Sequence, residues 1–177
     1  MKHLYLFLLA LASVVALHAE TFVKITNPAT LQDGDQIVLG YAEKSHVSAG
    51  FSSTKKYIDV TTATFASDNV TLSEPATITL KKNGLYWNLY LGSKPIGHKS
   101  GTSDLDVNQK TITNFAISFE NGNAQVVSQT PGKNDNEVFF AYNASSPRFS
   151  LYHAGSNMKG ISLYRLDEST IPDVVVE

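Results

Sequence analysis

Beyond its first residues the chain alternates. TFVKITN sets Phe22, Lys24 and Thr26 on one side of a zigzag and Val23 and Ile25 on the other, the period of two that a half-buried strand requires. LQDGDQIVLGYA places an Asp-Gly turn ahead of the apolar run Ile37 to Tyr41, and KYIDVTT and NVTLS are rich in β-branched residues, as strands are. ATITLKKNGLYWNLYL is the clearest hairpin, with alternating runs on either side of Asn83-Gly84, a pair that accepts the positive φ values of a type I′ turn. ITNFAISFENGNAQVVS repeats the device at Asn121-Gly122, and VFFAYN, PRFSLYH and GISLYRL follow. Gly, Asn, Ser and Thr interrupt these runs every 8–12 residues or so, and no apolar period of about 3.6 is sustained after the first segment. The pattern predicts an all-β domain of about ten to twelve short strands, a single antiparallel barrel closed or nearly closed so that its edges are covered.

A faint repeat refines that expectation. GDQIVLGYAEKSHVSAG and GLYWNLYLGSKPIGH both read as a strand, a polar turn and a Gly-ended apolar pair, and VFFAYNASSPRFSLY has the same layout without the Gly. Gly50 and Gly97 are 47 residues apart, and a similar step lands in the loop from Asn143 to Arg148. Approximate threefold repetition suits a β-trefoil-like barrel.

The opening MKHLYLFLLALASVVALHAE has one Lys, an apolar run from Leu4 to Leu17 and a small residue, Ala19, before the composition changes. It reads as a secretory signal peptide spanning 1–19, cleaved near Ala19 with Ala16 as the alternative site; the run is shorter than the roughly 20 residues of a spanning helix. The expected product is secreted or periplasmic, with a β domain over 20–166 and a C-terminal tail over 167–177. With no cysteine in the chain, its core must hold it without disulfides. An export product lacking them fits a bacterial periplasm or exterior. About 158 residues suffice, since a domain of that size buries about 68–70% of its unfolded surface. Net charge is −2, and Lys55-Lys56 and Lys81-Lys82 are the only basic pairs, so no basic stripe marks a nucleic-acid partner.

Motifs for chemistry are sparse. His46, His98 and His153 are scattered, without an HExxH pair, and read as surface or barrel-end histidines. GxSxG, Walker A and GxGxxG patterns are missing, and without Cys there is no thiol chemistry. Asp104, Asp106 and Asn108 match the first positions of a calcium loop, but Gln109 and Phe115 stand where its Gly and bidentate Glu belong; no metal and no cofactor is expected. Asp33 and Asp35 flank Gly34 as an Asp-Gly-Asp turn, which accounts for them without catalysis. Asn69 and Asn143 open glycosylation-type triplets, incidental in a bacterial protein.

Aromatic residues offer the better lead. If Trp87 faces inward with Leu85, Leu89 and Leu91, then Tyr86 and Tyr90 face outward beside Asn88, rings for stacking on a sugar and an amide for its hydroxyls; cross-strand packing is the competing explanation. In the hairpin EVFFAYNASSPRFSLYHAG, Asn143 and Arg148 bracket the loop and Tyr152 shares the face of Arg148. These three either shape the turn or line a barrel mouth. The candidate ligand-binding residues are therefore Tyr86, Asn88, Tyr90, Asn143, Arg148 and Tyr152.

The order LQDGDQIVLGY, YIDVTTATFASDNVTLS, ATITLKKNGLYWNLYLGSKPIGHKSGTSDL and NEVFFAYNASSPRFSLYHAGSNMKGISLYRL resembles a β module of secreted Bacteroidota proteins that often stands beside an extracellular nuclease or protease domain. That module typically ends in a "YN, RF, Y, IxLYK" series, matched here by Tyr142-Asn143, Arg148-Phe149, Tyr152 and Ile161 to Arg165. The resemblance implies no activity for the module itself, and the neighbour's catalysis is not carried over. The expectation is a secreted, non-catalytic module that binds an extracellular glycan or protein surface. A structural or spacer domain is the alternative, and a hydrolase with an unrecognised carboxylate pair the third reading.

Overall fold

The computed structural model describes residues 19–52, 56–107, 112–156 and 158–170. Residues 1–18 of the expected signal peptide, Asn108, and the expected tail beyond residue 170 lie outside them. Among the described residues fifteen strands make up the regular structure: β1 (Glu20–Ile25), β2 (Gln36–Tyr41), β3 (His46–Ser52), β4 (Tyr57–Thr62), β5 (Thr64–Ala66), β6 (Asn69–Leu72), β7 (Ile78–Asn83), β8 (Tyr86–Leu91), β9 (Lys94–Gly97), β10 (Asp106–Val107), β11 (Phe115–Glu120), β12 (Asn123–Ser128), β13 (Val138–Asn143), β14 (Arg148–His153) and β15 (Ser162–Leu166). The chain is all-β; among the described residues its helical pieces are 3-10 turns of three residues. The strands outnumber the expected ten to twelve because β5, β6 and β10 are pieces of three, four and two residues.

Every strand pairing is antiparallel within one large sheet. β2 pairs with β7, β7 with β8, β8 with β11 and β11 with β12. β15 pairs back onto β2, and a bridge between Ala124 and Ile161 joins β12 to the start of β15. Six strands thus follow one another in a ring of pairings, and β3 with β4, β9 with β10, and β13 with β14 form the excursions between them. The ring is uneven: β7 and β8 match along six positions, whereas β8 meets β11 at Trp87 and Phe115 alone.

Turn chemistry explains the hairpins. Asn121 and Gly122 have φ of 50° and 77°, the type I′ combination expected between β11 and β12. The β7–β8 turn departs from expectation. Asn83 pairs with Tyr86, so the turn residues are Gly84 and Leu85, and Gly84 supplies a φ of 62° at the first of them, as in a type II′ turn. Leu85 is consequently at the tip and 91% exposed, rather than inside with Trp87 and Leu89.

Alternation then sorts the side chains. Ile37, Leu39, Leu80, Trp87, Leu89, Phe115, Phe140 and Leu163 belong to the main core, each contributing about 1.5–3 kcal/mol by burial. Val38 and Tyr164 point the other way and build a second core with Phe22, Val70, Leu72 and Leu166. β2 is apolar from Ile37 to Tyr41 because that stretch is covered on both faces, by the ring interior and by the layer from β1 and β6.

Candidate ligand-binding site

The hairpin of β13 and β14 is registered over six pairs, from Val138 with His153 to Asn143 with Arg148. Asn143 is buried, and its Oδ1 accepts from the backbone N–H groups of Ser145 and Ser146 at 3.1 and 3.0 Å. It shapes the loop that delivers Arg148. Arg148 and Tyr152, four residues apart on β14, are both half-buried, and Arg148 Nε donates to Tyr152 Oη at 3.3 Å. Phe149 pairs with Ile58 of the neighbouring β4, which brings Tyr57 alongside: the guanidinium carbon of Arg148 lies 5.1 Å from the centre of the Tyr57 ring, within cation–π range. Among the described residues no carboxylate pairs with Arg148; the ion pairs there are Lys56–Asp104 and Arg165–Asp35.

These side chains line a hollow of ≈ 260 Å³, together with Lys56 and Asp104. Lys56 Nζ lies 2.9 Å from Asp104 Oδ2 at the exposed mouth, and this hydrogen bond, followed by the carboxylate's charge, raises the ammonium's pKa. A second hollow of ≈ 490 Å³ adjoins the first, sharing Ser103, Asp104 and His153 and adding Lys133, Asn134 and Asn136. Its walls are two loops, residues 99–105 and 129–137. Gly101 N–H donates to Pro131 C=O at 3.0 Å, and Gly132 N–H to Asn136 C=O at 2.9 Å. Beneath them His98 is buried, against the expectation of a surface or barrel-end residue. Its Nδ1 lies 3.0 Å from Lys99 C=O and its Nε2 2.8 Å from Ser128 Oγ, which accepts from Thr130 N–H. One imidazole therefore ties both loops to the sheet.

The residues singled out on β8 are placed differently. Trp87 is inside and Tyr86 and Tyr90 are half-buried on the other face, but Lys81 Nζ stands 4.7 Å from the centre of the Tyr90 ring. Asn88 is buried, its Nδ2 donating to Thr113 C=O at 3.1 Å and to Asn114 Oδ1 at 2.7 Å. An amide on an outward strand face meets the neighbouring strand's approach here, so it binds the chain instead of presenting to solvent. Neither hollow described above includes these three residues.

The remaining candidates are held by the backbone. Asp33 Oδ1 accepts from Lys82 N–H at 2.7 Å, and Asp35 Oδ2 from Gln32 N–H at 2.8 Å and from Arg165 at 3.4 Å. They brace the loop before β2 against β7 and β15 at the edge of a wider hollow of ≈ 650 Å³. His46 Nδ1 lies 2.6 Å from Tyr142 Oη, and Tyr142 stacks on Tyr41 with ring centres 4.3 Å apart. Among the described residues no group of three or more His, Asp or Glu side chains is arranged to hold a metal ion. Tyr57 and Lys56 escaped the reading by sequence because β4 meets β14 across about ninety residues of chain, and Lys133 because its loop meets the 99–105 loop only in the folded chain. The KYIDVTT run, with Lys56 and Tyr57 at its start, was the local signal.

No protein-family model, no curated protein and no solved structure matches the chain. Fold and site together define an all-β chain with a mixed aromatic and cationic concavity beside its third hairpin.

Proposed function

We propose that the protein is an extracellular, non-catalytic recognition module, akin to the secreted Bacteroidota β modules it resembles, and that its ligand is a carbohydrate held between β4 and β14. In this reading the ring of six strands with three hairpins is a β-trefoil-like barrel; Gly50, Gly97 and Asn143 fall in the first strand of each hairpin, β3, β9 and β13. The observation that carries the functional reading is Arg148, laid on the Tyr57 ring, bonded to Tyr152, and without a carboxylate partner among the described residues. A guanidinium fixed in one plane offers N–H donors to ring hydroxyls at little entropic cost, and the half-buried Tyr152 ring offers an apolar face for a pyranose.

A carbohydrate array probed with the native protein, Arg148→Gln and Tyr152→Ala tests this, with near-ultraviolet circular dichroism checking that the variants fold. Binding by the native protein that both variants lose supports the site. Binding that both retain moves the site elsewhere, and failure to bind any carbohydrate overturns the reading.

A further inference from the structure

Resting on that carbohydrate reading, we propose that the ligand is an extended anionic oligosaccharide, bearing carboxylate or sulfate groups, that runs from the Arg148 hollow into the one between the 99–105 and 129–137 loops.

The charge lining the two hollows differs from that of the chain. The protein carries a net −2, yet Lys56, Lys133 and Arg148 face these hollows against the single acid Asp104, with His153 at their junction. Asp104 is already taken by Lys56, which leaves Arg148 and Lys133 to meet an incoming anion. Both carboxylate and sulfate suit the planar, two-pronged guanidinium, whereas a flexible ammonium neutralises charge without fixing geometry. Arg148 thus reads the anionic group of one residue and Lys133 that of another further along.

The spatial arrangement favours a chain over a single sugar. The hollows adjoin, with Ser103, Asp104 and His153 in the walls of both, and each is open on its outer side. Asn134 and Asn136 in the far wall supply amides suited to uncharged hydroxyls. That wall is held before any ligand arrives, since Gly132 N–H and Asn136 C=O close the loop on itself and His98 and Ser128 anchor its base. Two other hollows lack this character. The one at Asp33 and Asp35 is lined by four acids and a single Arg, and the one beside β5 by threonines and alanines with Glu74 its only charge.

The test is calorimetric titration of the native protein with oligogalacturonate, its fully methyl-esterified counterpart, and a sulfated and an unsulfated oligogalactan of matched length. The expected result is binding of one or both anionic oligomers, about tenfold or more weaker for the matching neutral oligomer, and weakened by added salt. Preference for oligogalacturonate assigns a carboxylate and preference for the sulfated galactan a sulfate. Arg148→Gln should lose about tenfold for any length, whereas Lys133→Gln should weaken longer oligomers and leave the disaccharide unchanged. Equal binding of charged and neutral partners overturns the anionic assignment while the carbohydrate reading stands. Binding of none of the four, with a neutral carbohydrate captured on the array, also overturns it, and silence on both overturns the carbohydrate reading with it.

Discussion

Arg148 lies over Tyr57, its guanidinium carbon 5.1 Å from the ring centre, although the two residues are far apart in sequence and meet only because β14 pairs with β4. The contact orients a charge that no described carboxylate neutralises. Arg148→Lys should therefore behave as a loss rather than a conservative change, because an ammonium neither stacks nor forks. Affinity for the proposed carbohydrate ligand should fall about tenfold in Arg148→Lys and by a similar factor in Tyr57→Leu, both read by calorimetry. Retention of full affinity in the lysine variant would remove the planar guanidinium from the recognition scheme.

His98 is the second lever. Buried at 3% exposure and bonded through both nitrogens, it ties two loops that share no strand pairing. His98→Ala should cost about 2–4 kcal/mol by urea denaturation and weaken binding more than the stability loss alone explains, since both walls of the larger hollow are released. A destabilised variant with unchanged affinity would confine His98 to the fold.

Asn143 is expected to act on the loop. Its carboxamide oxygen satisfies two backbone N–H groups, so Asn143→Ala should cost about 1–2 kcal/mol, and Asn143→Asp, which keeps the acceptor, markedly less. The comparison of denaturation midpoints decides it; equal losses would mean that the acceptor is not what the turn needs.

Alkaline pH should unfold the protein through its buried phenols. The Tyr41 hydroxyl donates to Glu43 Oε2 at 2.5 Å; that bond first, then burial and the carboxylate's charge, push the phenol up to about 12. Burial also raises Tyr142 and Tyr164. These folded values lie above the ordinary value of about 10, so the folded state keeps protons that the unfolded chain releases. Their stabilisation is complete below that ordinary value and is lost as pH climbs toward 12. Phenolate absorbance and far-ultraviolet circular dichroism, followed together, should show a late tyrosine group ionising with loss of structure. A single ionisation step near pH 10 with structure intact would contradict this.

What was legible in the sequence was local. Alternation and β-branched runs marked β1, β2, β4, β6 to β8 and β11 to β15, but not β3 or the short β5, β9 and β10, and Asn121-Gly122 announced its turn. The β7–β8 turn slipped by one residue because Asn83-Gly84 and Gly84-Leu85 both contain the one glycine a tight turn needs, and cross-strand pairing of Asn83 with Tyr86 chose between them. The unbroken apolar run of β2 marked burial on both faces without saying that Tyr164 and Phe22 supply the second cover. Of the candidate residues, Arg148 and Tyr152 share one hollow because they share a strand face. Asn88 was misplaced because alternation assigns a face but not what lies against it. The contribution of Tyr57 and Lys133 depends on non-local pairing that no short window contains.

The most direct test of the carbohydrate site is an amide chemical-shift map of the labelled protein titrated with a carbohydrate it retains on the array. The expected result is shifts concentrated at Lys56, Tyr57, Ser103, Asp104 and the strand from Arg148 to His153, with β8 quiet. Shifts centred on Tyr86 and Tyr90 of β8, with Arg148 and Tyr152 unmoved, would contradict it.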